Sequence, residues 1–152
     1  MIAVIQRVKR ASVSVENKIV GSCAEGLLIL LGVACGDTEE DAKALARKIV
    51  NLRIFTDEND KLNLSVKDVA GEILVVSNFT LLANYKKGNR PDYLNSARPE
   101  LAERLYMYFT NLLSDEISHV ETGAFGEHME IDISADGPVT IVMDSKIFRQ
   151  QK

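Results

Sequence analysis

The chain has 152 residues, of which 46% are hydrophobic and 26% charged, and its formal net charge is −4. This length suffices for the core of one domain, so we expect a single domain over residues 1–152. The negative charge argues against a protein that grips nucleic acid by bulk electrostatics. The longest apolar run, residues 27–34, is too short to span a membrane. We therefore expect no membrane association and a cytoplasmic protein.

Strands dominate the predicted elements of the first third of the chain. The polar residues 16–18 have turn composition and join two of these strands as a hairpin. A helix should follow, capped by Asp37 or Thr38, with Glu40 or Asp41 completing a capping box. The strands are expected from short β-branched or fully apolar runs at residues 4–8, 11–15, 19–24 and 27–33.

Strands and one strong helix alternate in the remainder of the chain. Residues 83–98 are polar and predict a loop or a broken helix, after which a helix begins at Pro99. Its expected apolar stripe consists of Leu101, Leu105, Phe109 and Leu112. Further strands are expected at residues 53–56, 73–77, 129–134 and 138–143, with a turn at Asp136-Gly137 before the last. The pattern predicts an α+β domain whose curved, largely antiparallel, barrel-like sheet packs with two main helices.

General searches for catalytic chemistry find little. The chain has no Walker loop, no GxGxxG motif and no GxSxG elbow. His119 and His128 are too far apart for a helical metal pair, and Cys23 and Cys35 are expected to be buried, reduced thiols. We therefore predict neither a metal nor a cofactor. Read by spacing alone, residues 77–80 indicate an ordinary strand end and residues 136–138 an ordinary turn.

Several short motifs, taken together, are more specific. They are Ile5-Gln6-Arg7-Val8, Ala11-Ser12-Val13, Ser77-Asn78-Phe79-Thr80-Leu81, Lys87-Gly88-Asn89-Arg90-Pro91, Thr122-Gly123-Ala124-Phe125-Gly126 and Gly137-Pro138-Val139-Thr140. With these motifs in this order and approximate spacing, the chain resembles the D-aminoacyl-tRNA deacylase family over almost its full length. The third motif is similar to the family's Ser-Gln-Phe-Thr-Leu motif.

The resemblance implies a homodimeric hydrolase that acts on the acceptor end of aminoacyl-tRNA, without a cofactor. Such an enzyme cleaves the ester of D-amino acids, and of glycine, with the terminal ribose. Gly137 and Pro138, joined by a cis bond, would reach into the partner's pocket and accept hydrogen bonds from the substrate's α-amino group. Their backbone would leave no room for an L side chain.

The resemblance also assigns roles to the remaining site residues. Ser77, Phe79 and Thr80 would form the catalytic end, with backbone N–H groups near Phe79 polarising the ester carbonyl. Attack by water assisted by the tRNA 2′-hydroxyl is favoured over attack by Thr80, for which no base is evident. Arg7 would brace the Gly137 and Pro138 carbonyls.

The sequence departs from the family pattern at three positions. Asn78 stands in place of Gln, Ala135 in place of Asn, and Glu127 in place of a small residue. The departures at Asn78 and Ala135 motivate one alternative, a non-catalytic tRNA-binding protein of the same fold. Another alternative, a trans-editing enzyme of relaxed chirality, would follow if the bond before Pro138 were trans. A further alternative is a protein without RNA contact.

Overall fold

A computed structural model describes residues 1–149, so the last three residues of the predicted domain lie outside the described part. The elements are β1 (Ile2–Val15), β2 (Lys18–Cys23), β3 (Gly26–Gly32), α1 (Glu39–Val50), β4 (Phe55–Thr56), β5 (Leu62–Leu64), β6 (Glu72–Ser77), a 3₁₀ helix (Phe79–Leu82), α2 (Pro99–Ser114), β7 (Val120–Thr122), β8 (Glu130–Asp144) and α3 (Lys146–Arg149). Within residues 1–149, no helix is both long and apolar enough to cross a membrane.

One curved sheet contains six of the strands. Its order is β2-β1-β3-β6-β7, and β8 pairs along β1. The pairs of β1 with β2, β3 and β8 are antiparallel, whereas β3–β6 and β6–β7 are parallel. The sheet curls until β2 meets β7, where the Ser22 N–H donates to a Glu121 carboxylate oxygen at 2.6 Å. The predicted α+β fold with a barrel-like, largely antiparallel sheet is confirmed.

Two expected breaks in the strands are wrong. Residues 4–8 and 11–15 belong to the single strand β1, and the expected turn at Asp136-Gly137 lies inside the single strand β8. Each strand stays continuous because it pairs with the other, from Ile2↔Asp144 to Ser14↔Glu130. Shifts of the pairing register accommodate the irregular residues between these ends. A β-bulge accommodates extra residues without ending a strand, so turn-like composition misleads here.

The two main helices are confirmed, with small differences in detail. Thr38 precedes α1, and its N–H donates to the Asp41 carboxylate at 2.9 Å, as in a capping box. Pro99 begins α2, but the fully buried residue near its end is Leu113, whereas Leu112 is only partly buried. Beyond the predicted elements, β5 completes a hairpin with β4, and α3 follows β8.

The main core lies between the sheet and the two helices. Fully buried Ile29, Ile73 and Leu45 represent its contributions from β3, β6 and α1. Cys23 is buried as expected, and burial raises the pKa of its thiol to about 11. Cys35 is exposed, so the expectation of two buried thiols is wrong; it follows β3 in a surface turn. This layer positions the end of β6 and the middle of β8, where the candidate site residues lie.

Candidate active site

The motif at residues 77–80 lies where β6 leaves the sheet. Ser77 is the last residue of β6, and the Asn78 N–H continues the ladder by donating to the Leu31 carbonyl at 2.8 Å. The chain then turns into the 3₁₀ helix directly over Gly32. A Cβ at Gly32 would lie 2.4 Å from a Leu82 methyl carbon and 3.0 Å from the Asn78 carbonyl oxygen. A larger residue at this position would press on both groups, so glycine suits this close approach.

Two backbone donors remain free in this turn. The 3₁₀ helix begins with Leu81 N–H donating to the Asn78 carbonyl, so the N–H groups of Phe79 and Thr80 precede its first hydrogen bond. Within residues 1–149, no backbone or side-chain oxygen accepts a hydrogen bond from either group. Adjacent free N–H groups can stabilise an oxygen that carries negative charge.

In the motif, the Thr80 side chain is hydrogen-bonded and the Phe79 side chain is exposed. The Thr80 hydroxyl donates to the amide oxygen of Asn78, which is not a base. The Phe79 ring is 56% exposed and meets the Tyr93 ring edge to face, with centroids 5.0 Å apart. Ser96 donates its hydroxyl to the Phe79 carbonyl at 3.3 Å. Sequence reasoning missed Tyr93 and Ser96, and their only signal was an aromatic and a hydroxyl residue in a long polar loop.

One of the two histidines lies at the other end of this strand. His119 Nε2 lies 3.6 Å from a Glu72 carboxylate oxygen and 3.3 Å from a Glu121 oxygen. Glu72 begins β6 and Ser77 ends it, so five residues, about 17 Å of strand, separate the two sites. His119 is therefore too far away to act as a base for Thr80.

The second motif forms a bulge in β8. Gln6 pairs with Thr140 and Val8 pairs with Ala135, so the single residue Arg7 faces the four residues 136–139. The extra residues of β8 must leave the plane of the ladder, and the middle of the strand protrudes there. Gly137 and Pro138 lie on this bulge and are exposed.

Arg7 braces the bulge from below. Its guanidinium is held in a largely buried position, with the residue 8% exposed. Nε donates to the Asp136 carbonyl at 3.2 Å and lies 3.1 Å from the Asp136 carboxylate, while a terminal nitrogen donates to the Ile54 carbonyl at 2.8 Å. The contacted carbonyl thus lies one residue before Gly137, rather than at Gly137 or Pro138 as the resemblance implied.

Gly137 occupies a backbone conformation suited to glycine. Its φ is 141°, and a Cβ there would lie 2.4 Å from the Val139 backbone nitrogen. The Gly137-Pro138 peptide bond is cis. A side chain at this position would have to displace backbone of the bulge, so substitution would alter the shape of the protruding surface.

The two motifs do not adjoin in one chain. Ser77 pairs with Leu31, Leu31 with Ala3, and Ala3 lies four residues before Arg7 on β1. The separation along the sheet is thus three strand spacings, about 14 Å, and four residues, about 13 Å. A cleft of about 290 Å³ beside the 3₁₀ helix includes Leu81 and Asn95 but neither motif's predicted site residues.

Sequence comparisons agree with one another along nearly the whole chain. A sequence model described as D-Tyr-tRNA(Tyr) deacylase matches residues 4–144. A D-aminoacyl-tRNA deacylase of Caldicellulosiruptor saccharolyticus is 58% identical over 146 residues, covering 96% of this chain and 98% of that protein. The corresponding protein of Thermosipho africanus is 55% identical with the same coverage.

Solved structures share the fold. One described as c-Myc DNA Unwinding Element Binding Protein superimposes with a TM-score of 0.90 at 41% identity, covering 95% of this chain and 98% of that one. Another, described as a probable eukaryotic D-amino acid tRNA deacylase, has a TM-score of 0.78 at 16% identity, with 93% and 97% covered. The second likeness concerns the fold alone.

Proposed function

The chain belongs to the D-Tyr-tRNA(Tyr) deacylase family, and from that membership we propose that it is a D-aminoacyl-tRNA deacylase. As a hydrolase, it cleaves the ester between a D-amino acid, or glycine, and the terminal ribose of tRNA. Water adds to the ester carbonyl, and the products are the free amino acid and the deacylated tRNA. The full-length match to the family is the observation that carries this conclusion.

The chirality of the substrate is read by the bulge in β8. The carbonyl oxygens of Gly137 and Pro138 accept hydrogen bonds from the substrate's α-ammonium, and the nearby backbone excludes an L side chain. Rejection by a rigid clash excludes a whole stereochemical series, which favourable pocket contacts alone do poorly. Glycine has no side chain to exclude and is therefore accepted. The exposure of this bulge and its brace by Arg7 support this role.

The ester is polarised by the turn at residues 77–80. The free N–H groups of Phe79 and Thr80 donate to the ester carbonyl oxygen and to the oxyanion that forms when water adds. The tRNA 2′-hydroxyl assists the attacking water, and Ser77 and Asn78 line the same end of the pocket. Thr80 is not the nucleophile, because its hydroxyl proton is held by the Asn78 amide oxygen and, among residues 1–149, no basic side chain forms a hydrogen bond with it.

The working site is completed by a second copy of the chain. Since the two motifs lie apart in one chain, the bulge of one protomer reaches the 3₁₀ helix of the other. The strand β8 supports a homodimer, since it pairs with β1 along one edge and carries the exposed apolar side chains of Ile133 and Val142, the latter 68% exposed. An exposed, partly apolar strand edge of this length is suited to pairing with another chain.

The direct test compares D-tyrosyl-tRNA, L-tyrosyl-tRNA and glycyl-tRNA as substrates of the purified protein. The D and glycyl esters should be cleaved and the L ester spared, with loss of the esterified amino acid as the measured quantity. Equal cleavage of both enantiomers would instead identify the trans-editing alternative of relaxed chirality. Binding of tRNA without any cleavage would identify the non-catalytic alternative.

A matched variant addresses the nucleophile. Thr80→Val keeps the shape and the backbone N–H but removes the hydroxyl, and it should retain activity within about tenfold. A loss of several orders of magnitude would make Thr80 the nucleophile and overturn the role assigned to the 2′-hydroxyl. A tRNA ending in 2′-deoxyadenosine provides the complementary measurement, because its ester should be cleaved far more slowly.

A further inference from the structure

A compact loop follows the 3₁₀ helix directly. Residues 84–94, here called the basic loop, are closed by Asn84 and Asp92, whose backbones exchange hydrogen bonds of 2.8 and 2.9 Å. The Asn84 side chain also donates to the Asp92 carboxylate at 2.9 Å, and that carboxylate accepts from the Leu94 N–H. These bonds hold the base of the loop, so the residues between Asn84 and Asp92 project together from one point beside the site.

The loop carries positive charge on a protein of net charge −4. Lys86, Lys87 and Arg90 are exposed, and none of them forms an ion pair among the described residues. Three basic side chains without an ion pair among the described residues thus lie within five consecutive positions, whereas Lys43 and Lys67 elsewhere pair with Glu40 and Glu116. The loop is therefore a local cationic surface available to an anion.

Exposed aromatic and apolar side chains accompany this charge. Tyr85 is 77% exposed and Leu94 is 84% exposed, at the two ends of the loop. Tyr93 packs edge to face on Phe79, which ties the loop to the turn that carries the free N–H groups. Cationic side chains interleaved with exposed aromatic rings are typical of surfaces that bind single-stranded nucleic acid.

We propose that the basic loop binds the unpaired 3′ nucleotides of tRNA that precede the esterified one. Lys86, Lys87 and Arg90 contact their phosphates, and the ring of Tyr85 stacks on a base. This inference rests on the proposed deacylase function and adds the surface by which the protein holds the RNA. The terminal ribose lies at Phe79 and Thr80, so the preceding nucleotides pass along the segment joined to them.

Location distinguishes this surface from other exposed basic groups. Arg47 and Lys48 are equally exposed, but they lie in the last turn of α1, which packs against α2 and α3. A tRNA end anchored at the 3₁₀ helix meets the basic loop first. The contact is local, because the overall negative charge gives no general attraction for RNA.

The first experiment compares two double variants with the same change in charge. Lys86→Ala/Lys87→Ala should raise the concentration of D-tyrosyl-tRNA needed for half-maximal single-turnover rate on the order of tenfold. The maximal rate should stay near that of the parent. When the logarithm of this concentration is plotted against the logarithm of the salt concentration, the slope should fall by about 1.4, or about 0.7 for each lost phosphate contact. Arg47→Ala/Lys48→Ala should change neither quantity.

A minimal substrate provides a second readout. D-tyrosyl-adenosine carries the ester but none of the preceding nucleotides, so the parent protein and both double variants should cleave it equally. The proposal would be overturned if Lys86→Ala/Lys87→Ala left the half-maximal D-tyrosyl-tRNA concentration unchanged. It would also be overturned if Arg47→Ala/Lys48→Ala raised that concentration as much. Failure of the parent to cleave D-tyrosyl-tRNA would instead contradict the deacylase function itself, so the two failures are distinguishable.

Stacking is tested at Tyr85. Tyr85→Ala should raise the tRNA concentration needed for half-saturation about 5-fold to 100-fold, as expected for the loss of one stacked base. Tyr85→Phe keeps the ring, so its half-saturating tRNA concentration should stay close to that of the parent. Equal weakening in both variants would show that the hydroxyl acts rather than the ring face, and no weakening in Tyr85→Ala would overturn the stacking contact.

Discussion

The backbone N–H of Phe79 offers a sharp test at the residue scale. Proline at this position removes the donor, and the first residue of a helix is where proline is best tolerated because its N–H has no partner within the helix. Phe79→Pro should lower the single-turnover rate on D-tyrosyl-tRNA about 100-fold to 1000-fold, the usual effect of losing one oxyanion donor.

The matched control for this change is Phe79→Ala, which removes the same ring but keeps the N–H. It should retain clearly more activity than Phe79→Pro in the same assay. Equal rates in the two variants would mean that the ring, and not the donor, accounts for the effect. The polarising role of the turn would then be wrong.

The backbone of Gly137 provides a second prediction at this scale. Alanine there costs about 1–2 kcal/mol in a left-handed conformation, and its Cβ would lie 2.4 Å from the Val139 nitrogen. Gly137→Ala should therefore reshape the bulge and lower kcat/KM for D-tyrosyl-tRNA by more than about tenfold. The midpoint of urea unfolding should fall only modestly.

A glycine away from the site separates backbone strain from function. Gly36 has a φ of 80° and open space where its Cβ would lie. Gly36→Ala should cost comparable stability while activity stays close to that of the parent. If Gly137→Ala kept activity as well as Gly36→Ala does, the bulge could not be the chiral filter.

The residues of the site could be predicted only through the resemblance to a family. By composition, Ser77 to Thr80 indicated a strand end, and the structure confirms that the strand ends there. The contact of Tyr93 with Phe79 could not be predicted, because it depends on how a long polar loop folds back over the turn. Arg7 looked like an alternating strand residue, and only its pairing opposite a bulge explains its burial.

Tyr106 provides a prediction at the scale of elements, because it fastens α2 to β6. Its hydroxyl donates to the Val75 carbonyl at 2.8 Å, and that carbonyl also accepts from the Gly123 N–H at 2.9 Å. Tyr106→Phe therefore leaves the carbonyl partnered, and the free energy of unfolding should fall by only about 1 kcal/mol. Urea denaturation at pH 7 measures this change.

The same residue predicts how stability depends on alkaline pH. Burial raises the pKa of the Tyr106 phenol from 10.0 to about 12. A raised folded-state pKa means that stability is complete below the unfolded pKa and is lost as pH rises through the folded one. Two pKa units correspond to about 2.7 kcal/mol, which exceeds the contribution of the hydrogen bond, so the advantage of the parent over Tyr106→Phe should shrink above pH 10 and reverse before pH 12. A constant difference across that range would contradict the burial of this hydroxyl.

At the same scale, prediction from sequence succeeded where periodicity was long. The helices α1 and α2 were recognised because their apolar spacing, capping residues and Pro99 agree. The length of β1 and β8 was not predicted, because each strand contains exposed or turn-forming residues. These residues stay within the strands because the pairing register shifts beside them. Long-range pairing of this kind leaves no local signal in either strand.

The whole molecule is proposed to work as a dimer in which each site joins the turn of one protomer to the bulge of the other. This arrangement predicts complementation between two weakened chains. Phe79→Pro disables the turn and Gly137→Ala disables the bulge, so each homodimer should have low activity. In a mixed dimer, one site combines the intact turn of the Gly137→Ala chain with the intact bulge of the Phe79→Pro chain.

The expected recovery follows from counting sites. Co-refolding equal amounts of Phe79→Pro and Gly137→Ala chains should make about half of the dimers mixed, each with one intact site. D-tyrosyl-tRNA turnover should then rise to roughly a quarter of the parent's value per site. A double variant carrying both changes in one chain, refolded with an equal amount of the parent, is the control. Its mixed dimers have no fully intact site, so turnover should fall from half of the parent's value per site, measured before the chains exchange, to about a quarter, which comes from parent homodimers alone. Because a site built within one chain would show no recovery in the first mixture, the absence of complementation would contradict the shared site.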